Sequence, residues 1–162
     1  MSPRLILALA AGLAATAVAH PGRAADWRVY AGTWIITGAA TAPWSDATRA
    51  PDLHESRRMI GKPVTFGAGR IAGPRPLGCA KPVYKVDVVG PDMIFEGMLA
   101  EKAGPLAGGA EAAQAAALKL GFGDPAHIPT LDAGCTEVQF HALRAGVLVF
   151  ALNNRVYTMV RR

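Results

Sequence analysis

Cysteine, serine and charge are all scarce in this chain, and each shortage closes a class of function. Only Cys79 and Cys135 are cysteines among 162 residues. There is no Cys-x-x-Cys pair and no ligand group at zinc spacing, so neither a dithiol redox centre nor a metal site is expected, and no cofactor is called for. Beyond Ser2 the serines are Ser45 and Ser56, neither of them in a Gly-x-Ser-x-Gly elbow. Charged residues make up 18%, and the basic ones are scattered apart from Arg57-Arg58 and Arg161-Arg162. A nucleic-acid binder needs a clustered basic face with interleaved aromatics, so that class is set aside. After the first segment no apolar run approaches the roughly 20 residues that span a bilayer, which argues against stable membrane insertion.

The N-terminus reads as an address. Met1-Ser2-Pro3-Arg4 carries one positive side chain, and Leu5 to Val18 is apolar and uncharged, the two leading parts of a secretory signal. Small residues offer a cut before His20 or before Ala25, and the second is preferred. The expected organisation is therefore a signal peptide over 1–24 and one exported β-rich domain over 25–162, periplasmic in a Gram-negative bacterium or secreted. Cleavage removes Arg4 and Arg23, leaving 15 basic residues against 12 acidic ones, so the formal charge falls from +5 to +3. No cysteine lies near the cut to carry a lipid. In an oxidising compartment the two cysteines are expected to form a structural disulfide, Cys79–Cys135.

Hydrophobic periodicity along the mature chain points to short strands. Trp27 to Gly38 is aromatic and β-branched, with Trp34 and Ile36 on one face and Thr33, Ile35 and Thr37 on the other. Residues 39–59 read as a long loop with a helical turn near Leu53 to Met59. Lys62–Phe66 and Arg70–Ala72 flank Gly67-Ala68-Gly69 as a hairpin. Val83–Val89 alternates, and Met93–Leu99 is expected as its partner strand across Gly90-Pro91-Asp92. One helix is expected over Gly109–Leu120, with Ala113, Ala116, Ala117 and Leu120 on one face and Gly121-Phe122 as a Schellman ending. From Val138 onward the chain reads as a meander, with His141 on an outer face beside Glu137 and Gln139, and Asn153-Asn154 as a type I′ connection. The expected fold is mainly β: an antiparallel barrel or strongly curved sheet of seven or eight strands with one inserted helix near 109–120 and one disulfide. The Trp34 strand and the C-terminal strand are expected as edges that closure would pair.

Gly32-Thr33-Trp34 at the head of the first strand, with Arg155 or Arg161 on the last available to lie over the indole, resembles the Gly-x-Trp and closing Arg of lipocalin-like (calycin) barrels. The run Gly32 to Ala39 is similar to the opening of the small secreted metalloprotease inhibitors of that group. The resemblance implies a carrier of a small apolar ligand or an inhibitor of a hydrolase.

Side chains that carry chemistry are few. His54, His127 and His141 show no paired metal-ligand spacing. Glu96, in Ile94-Phe95-Glu96-Gly97-Met98, is an acid within an apolar run. Trp44, between Pro43 and Ser45-Asp46, is the aromatic best placed for an exposed contact. Trp34 is expected in the core. The candidate ligand or partner contacts are thus Trp44, Tyr84, Glu96 and His141. The expected function is binding, of a small apolar ligand or of a secreted or periplasmic protein; the alternative is a small hydrolase using Glu96 or Glu137 with His141.

Overall fold

A computed structural model describes residues 26–45, 48, 53–103 and 109–162. The leader expected over 1–24 and its cleavage point lie outside the described residues. Among the described residues there are nine strands: β1 (Gly32–Thr41), β2 (Pro63–Phe66), β3 (Arg70–Ala72), β4 (Cys79–Ala80), β5 (Lys85–Val89), β6 (Ile128–Asp132), β7 (Phe140–Arg144), β8 (Val147–Leu152) and β9 (Arg155–Arg161). Three helices accompany them there: α1 (Leu53–Met59), α2 (Met98–Ala103) and α3 (Gly109–Lys119). The strands form one antiparallel sheet in the order β4-β3-β2-β1-β9-β8-β7-β6-β5.

The sheet curls into a half-barrel. Phe66 on β2 and Phe140 on β7 stand four strand spacings apart in that order, about 19 Å if the sheet were flat, yet their rings meet edge to face at 4.8 Å. The chain itself also joins the two edges, because β4 runs into β5 through residues 81–84 only, a reach of at most about 18 Å. Two further contacts clasp the gap. The Cys79–Cys135 disulfide ties β4 to the bend after β6, with Cα atoms 5.9 Å apart. The Tyr84 hydroxyl donates to the Gly67 carbonyl at 2.9 Å. The Val83 N–H, donating to the Ala133 carbonyl at 2.9 Å, extends the β5–β6 ladder towards them.

The interior is filled with side chains. Trp34, Ile36, Val64, Phe66, Ile71, Leu131, Phe140, Leu148, Phe150, Tyr157 and Met159 alternate inward from seven of the strands and form one buried cluster. At one end the Arg161 guanidinium lies 4.4 Å from the centre of the Trp34 indole and donates to the Ala31 and Val29 carbonyls, while the indole N–H donates to the Tyr30 carbonyl at 2.8 Å. The opposite face of β5 to β9 is covered by a second cluster, in which Ala113 and Ala117 of α3, Leu99 of α2 and Ile94, Phe95 and Phe122 pack on Ile128, Val149 and Val156.

Four expectations require correction. The sheet has nine strands rather than seven or eight, because β4 and Ile128–Asp132 each pair as strands. The segment Met93–Leu99 is not a strand: it forms a 3-10 turn over Ile94–Gly97 and opens α2, so there are three helices and not one. Its apolar residues face the helical layer, and β6 takes the place of partner, pairing Lys85 with Asp132 through Val89 with Ile128. The Trp27 end is a 3-10 turn capped by Asp26, whose carboxylate accepts the Arg28 N–H at 3.0 Å, so β1 begins at Gly32. Finally, β1 and β9 do pair, from Trp34 with Arg161 to Thr41 with Arg155. They are the middle of the sheet, however, because β2, β3 and β4 add to the other side of β1; the edges are β4 and β5.

Local signals held. The helical turn at Leu53–Met59, the hairpin around 67–69 and the α3 ending are all present. Gly121 has φ +96°, and the Phe122 and Gly121 N–H groups donate to Ala117 and Leu118 at 3.1 and 2.9 Å, the bond pair of a Schellman motif. Asn153 and Asn154 both have positive φ, 46° and 60°. Opening the Cys79–Cys135 clasp frees a chain segment whose ends are 56 residues apart, for which loop entropy predicts a loss of about 4 kcal/mol. Urea unfolding with and without reductant checks this, and equal midpoints would show that the clasp adds no stability.

Candidate functional site

A cavity of about 400 Å³ lies between the Phe95–Met98 turn, the β8–β9 turn and the segment 137–139 leading into β7, and it gathers Trp44, Phe95, Glu96, Met98, Glu137, Val138, Gln139, His141, Ala151, Leu152, Asn153 and Asn154. Three of the four candidate contacts read from the sequence, Trp44, Glu96 and His141, meet there, together with Glu137. Tyr84 does not: its ring stacks on Trp27 at 4.3 Å and 17°, and its hydroxyl belongs to the barrel clasp.

One wall is a strained turn held by a histidine. Phe95 and Glu96 are both left-handed, with φ, ψ of 51°, 40° and 58°, 34°, and Gly97 follows at φ +80°. Consecutive left-handed residues with side chains cost roughly 1–2 kcal/mol each. The turn persists because its ends are fixed. The Phe95 N–H donates to His141 Nε2 at 3.1 Å, and the Phe95 ring packs edge to face on the imidazole at 4.9 Å and tilted against Trp44 at 5.2 Å.

His141 is not on an outer face, as its alternation with Glu137 and Gln139 implied; it is 1% exposed. The 3-10 turn and helical layer cover the face that the strand period leaves wet. Since Nε2 accepts from Phe95, Nδ1 carries the proton and donates to Thr130 Oγ1 at 2.9 Å, and that hydroxyl donates to the Ile128 carbonyl at 3.2 Å. Burial pushes the imidazole down to about 3. His141 is therefore a neutral strut with both nitrogens occupied.

The opposite wall is the β8–β9 turn. Glu55 of α1 accepts from Asn153 Nδ2 at 2.6 Å and from the Tyr157 hydroxyl at 2.8 Å. Burial first, and the neighbouring Glu55 carboxylate further, push Tyr157 up to about 12, so it stays a donor. Asn154 in turn accepts the Ala42 N–H at 2.9 Å, and Ser45 donates through both its N–H and its hydroxyl to the Ala42 carbonyl, at 3.0 and 2.7 Å. These bonds fix the short turn that carries Trp44. Arg155 spans from β9 to β1, donating to Thr41 Oγ1 at 3.0 Å and the Ala39 carbonyl at 2.9 Å.

Phe95, Met98, Leu152 and the Asn153-Asn154 pair line the cavity without having been singled out for it. The positive-φ signal of Asn-Asn marked the turn, but nothing local to the sequence says that this turn faces residues 95–98. Among the described residues no three His, Cys, Asp or Glu side chains converge to hold a metal ion; His127 pairs with Asp124 at 3.1 Å on the exposed surface. No family model, curated protein or solved structure matches the chain.

The unfolded chain binds a proton at His141 near pH 6.5 and the folded one only near 3. Stability from this group is thus complete above pH 6.5 and falls on acidification, by at most about 1.4 kcal/mol per pH unit. The imidazole resonances of His141 are expected to show no titration between pH 8 and 4.5. His141→Gln is expected to reduce the loss of unfolding free energy between pH 7 and 4.5 by about 2 kcal/mol. Parallel pH dependences in urea would refute the buried neutral state. Glu96→Gly is expected to raise stability by about 0.5–1 kcal/mol by relieving the left-handed backbone, read from the thermal midpoint.

Proposed function

We propose that this protein is an exported binding protein that takes a small ligand with an apolar body into the cleft between Trp44, the Phe95–Met98 turn and the β8–β9 turn. The observation that carries this is the cleft itself. It has the size of a small-molecule site, its lining is half apolar (Trp44, Phe95, Met98, Val138, Ala151 and Leu152) and half polar, and both its walls are held by hydrogen bonds before any ligand arrives. Such preorganisation lowers the entropy lost on binding.

Binding fits these residues better than hydrolysis. A general base needs a lone pair within reach of the proton it takes, and the lone pair of His141 is engaged by the Phe95 N–H. The ligand space also differs from that of a lipocalin-like carrier, because the barrel interior is closed by its own aromatic side chains. Kinship with that group is supported by Gly32, Trp34 and Arg161, whose packing closes one end of the barrel. Export is supported by the apolar leader and by the disulfide, which persists in oxidising compartments.

A panel of small aromatic and aliphatic compounds of positive, zero and negative charge, titrated into isotope-labelled protein, tests the assignment by NMR. Saturable shifts are expected at the Trp44 indole N–H and the Met98 and Leu152 methyls, and Leu152→Arg is expected to abolish them by filling the cleft. Compounds that shift only barrel-interior resonances, or none that shift these three groups, would overturn it.

A further inference from the structure

We propose that the ligand of this cleft is a small organic cation: an ammonium group on a hydrocarbon body. This rests on the cleft being a binding site. Two carboxylates, Glu96 and Glu137, border the cavity, and no Lys or Arg is among its lining residues. His141, the remaining group there able to take a positive charge, is kept neutral by burial. The cleft is therefore an acidic spot on a chain whose formal charge is +5, or +3 without residues 1–24. An anionic ligand would meet two like charges; a cation meets two opposite ones.

The rest of the lining suits the same ligand. Trp44 presents an indole tilted at 45° to Phe95, and aromatic faces, indole best of all, attract cations through the ring quadrupole. Met98 and Leu152 offer the hydrocarbon part a polarisable and an aliphatic contact. The amide of Asn153 donates one N–H to Glu55 Oε2, its carbonyl oxygen is an acceptor, and an ammonium has three donors and no acceptor. Both acids are exposed at the border of the cavity: Glu96 follows Phe95, whose N–H is held by His141, and Glu137 lies three residues before β7. A lysine side chain from a partner protein shares this chemistry, but a cavity of about 400 Å³ has the volume of a whole small molecule.

The test uses phenethylammonium, with 2-phenylethanol and 3-phenylpropionate as neutral and anionic counterparts and Nα-acetyl-lysine amide as the side-chain mimic, titrated by NMR at low salt. Phenethylammonium is expected to bind about three- to tenfold more tightly than the alcohol, the range for two exposed charge pairs, with the carboxylate weakest. The double variant Glu96→Gln/Glu137→Gln is expected to bring ammonium and alcohol within a factor of two, and 0.5 M salt to do the same for the wild-type chain. Equal binding of the alcohol, or a preference for the ammonium that survives in the double variant, would overturn the cation assignment while leaving the cleft a binding site. Tighter binding of the lysine mimic than of phenethylammonium would overturn the small-molecule source. Absence of shifts at Trp44 and Met98 with all four probes would overturn both the cation assignment and the binding reading beneath it.

Discussion

The aromatic layer inside the curl is the constraint on which everything else depends. Phe66 meets Phe140 at 4.8 Å, Phe140 meets Phe150 at 5.7 Å, and Phe150 stacks on Tyr157 at 5.0 Å and 8°. This run of rings crosses the interior from β2 to β7 and sets how tightly the sheet bends. With that bend the two edges come within reach of residues 81–84, and the disulfide and the Tyr84 hydroxyl can close the gap. The bend also presents the other side of β5 to β9 as a convex surface. On it a helix with alanine at its contact positions lies close to the sheet, and the strained Phe95–Glu96 turn fits over His141.

Interior and exterior therefore do different work. The inner face is dry and closed by large side chains, which makes it a scaffold. The outer face carries a thinner layer of helix and turn, and where that layer stops short of the β8–β9 turn a cleft remains. Its polar groups are arranged by neighbours on several elements: Glu55 from α1 orients Asn153, Thr130 from β6 orients His141, and the backbone of Asn154 anchors the turn bearing Trp44. Positioning from rigid elements keeps such a site in one shape.

What was legible in the sequence was local. The Gly67–Gly69 hairpin, the Gly121 helix ending, the Asn153-Asn154 turn and the short helix at Leu53 each depend on a few adjacent residues whose backbone preferences agree with the fold. The partner of β5, the central place of β1 and β9, and the burial of His141 depend on contacts between residues far apart in the chain, and period-two patterning is silent about those. The run from Ile94 to Leu99 shows the conflict most directly: its composition suits a strand, but Gly97 and the docking of Leu99 on the helical layer turn it into a 3-10 turn and a helix. For the cleft, the residue types Trp44, Glu96, Glu137 and His141 stood out one by one. Their convergence, and the conversion of His141 from a surface group to a neutral strut, required the sheet to curl first.

The position of β9 imposes an order in time. Residues 155–161 form the middle strand of nine, hydrogen-bonded to β1 on one side and β8 on the other. As the chain emerges from synthesis, β4-β3-β2-β1 and β8-β7-β6-β5 can form as two ribbons tethered by residues 81–84, but no strand pairing joins β1 to β8 until β9 arrives. The slow, long-range pairing of β9 with β1 is then the step that commits the fold, so until residues 155–161 are available the sheet stays as two unjoined halves with open edges, the kind of surface on which proteases and chaperones act.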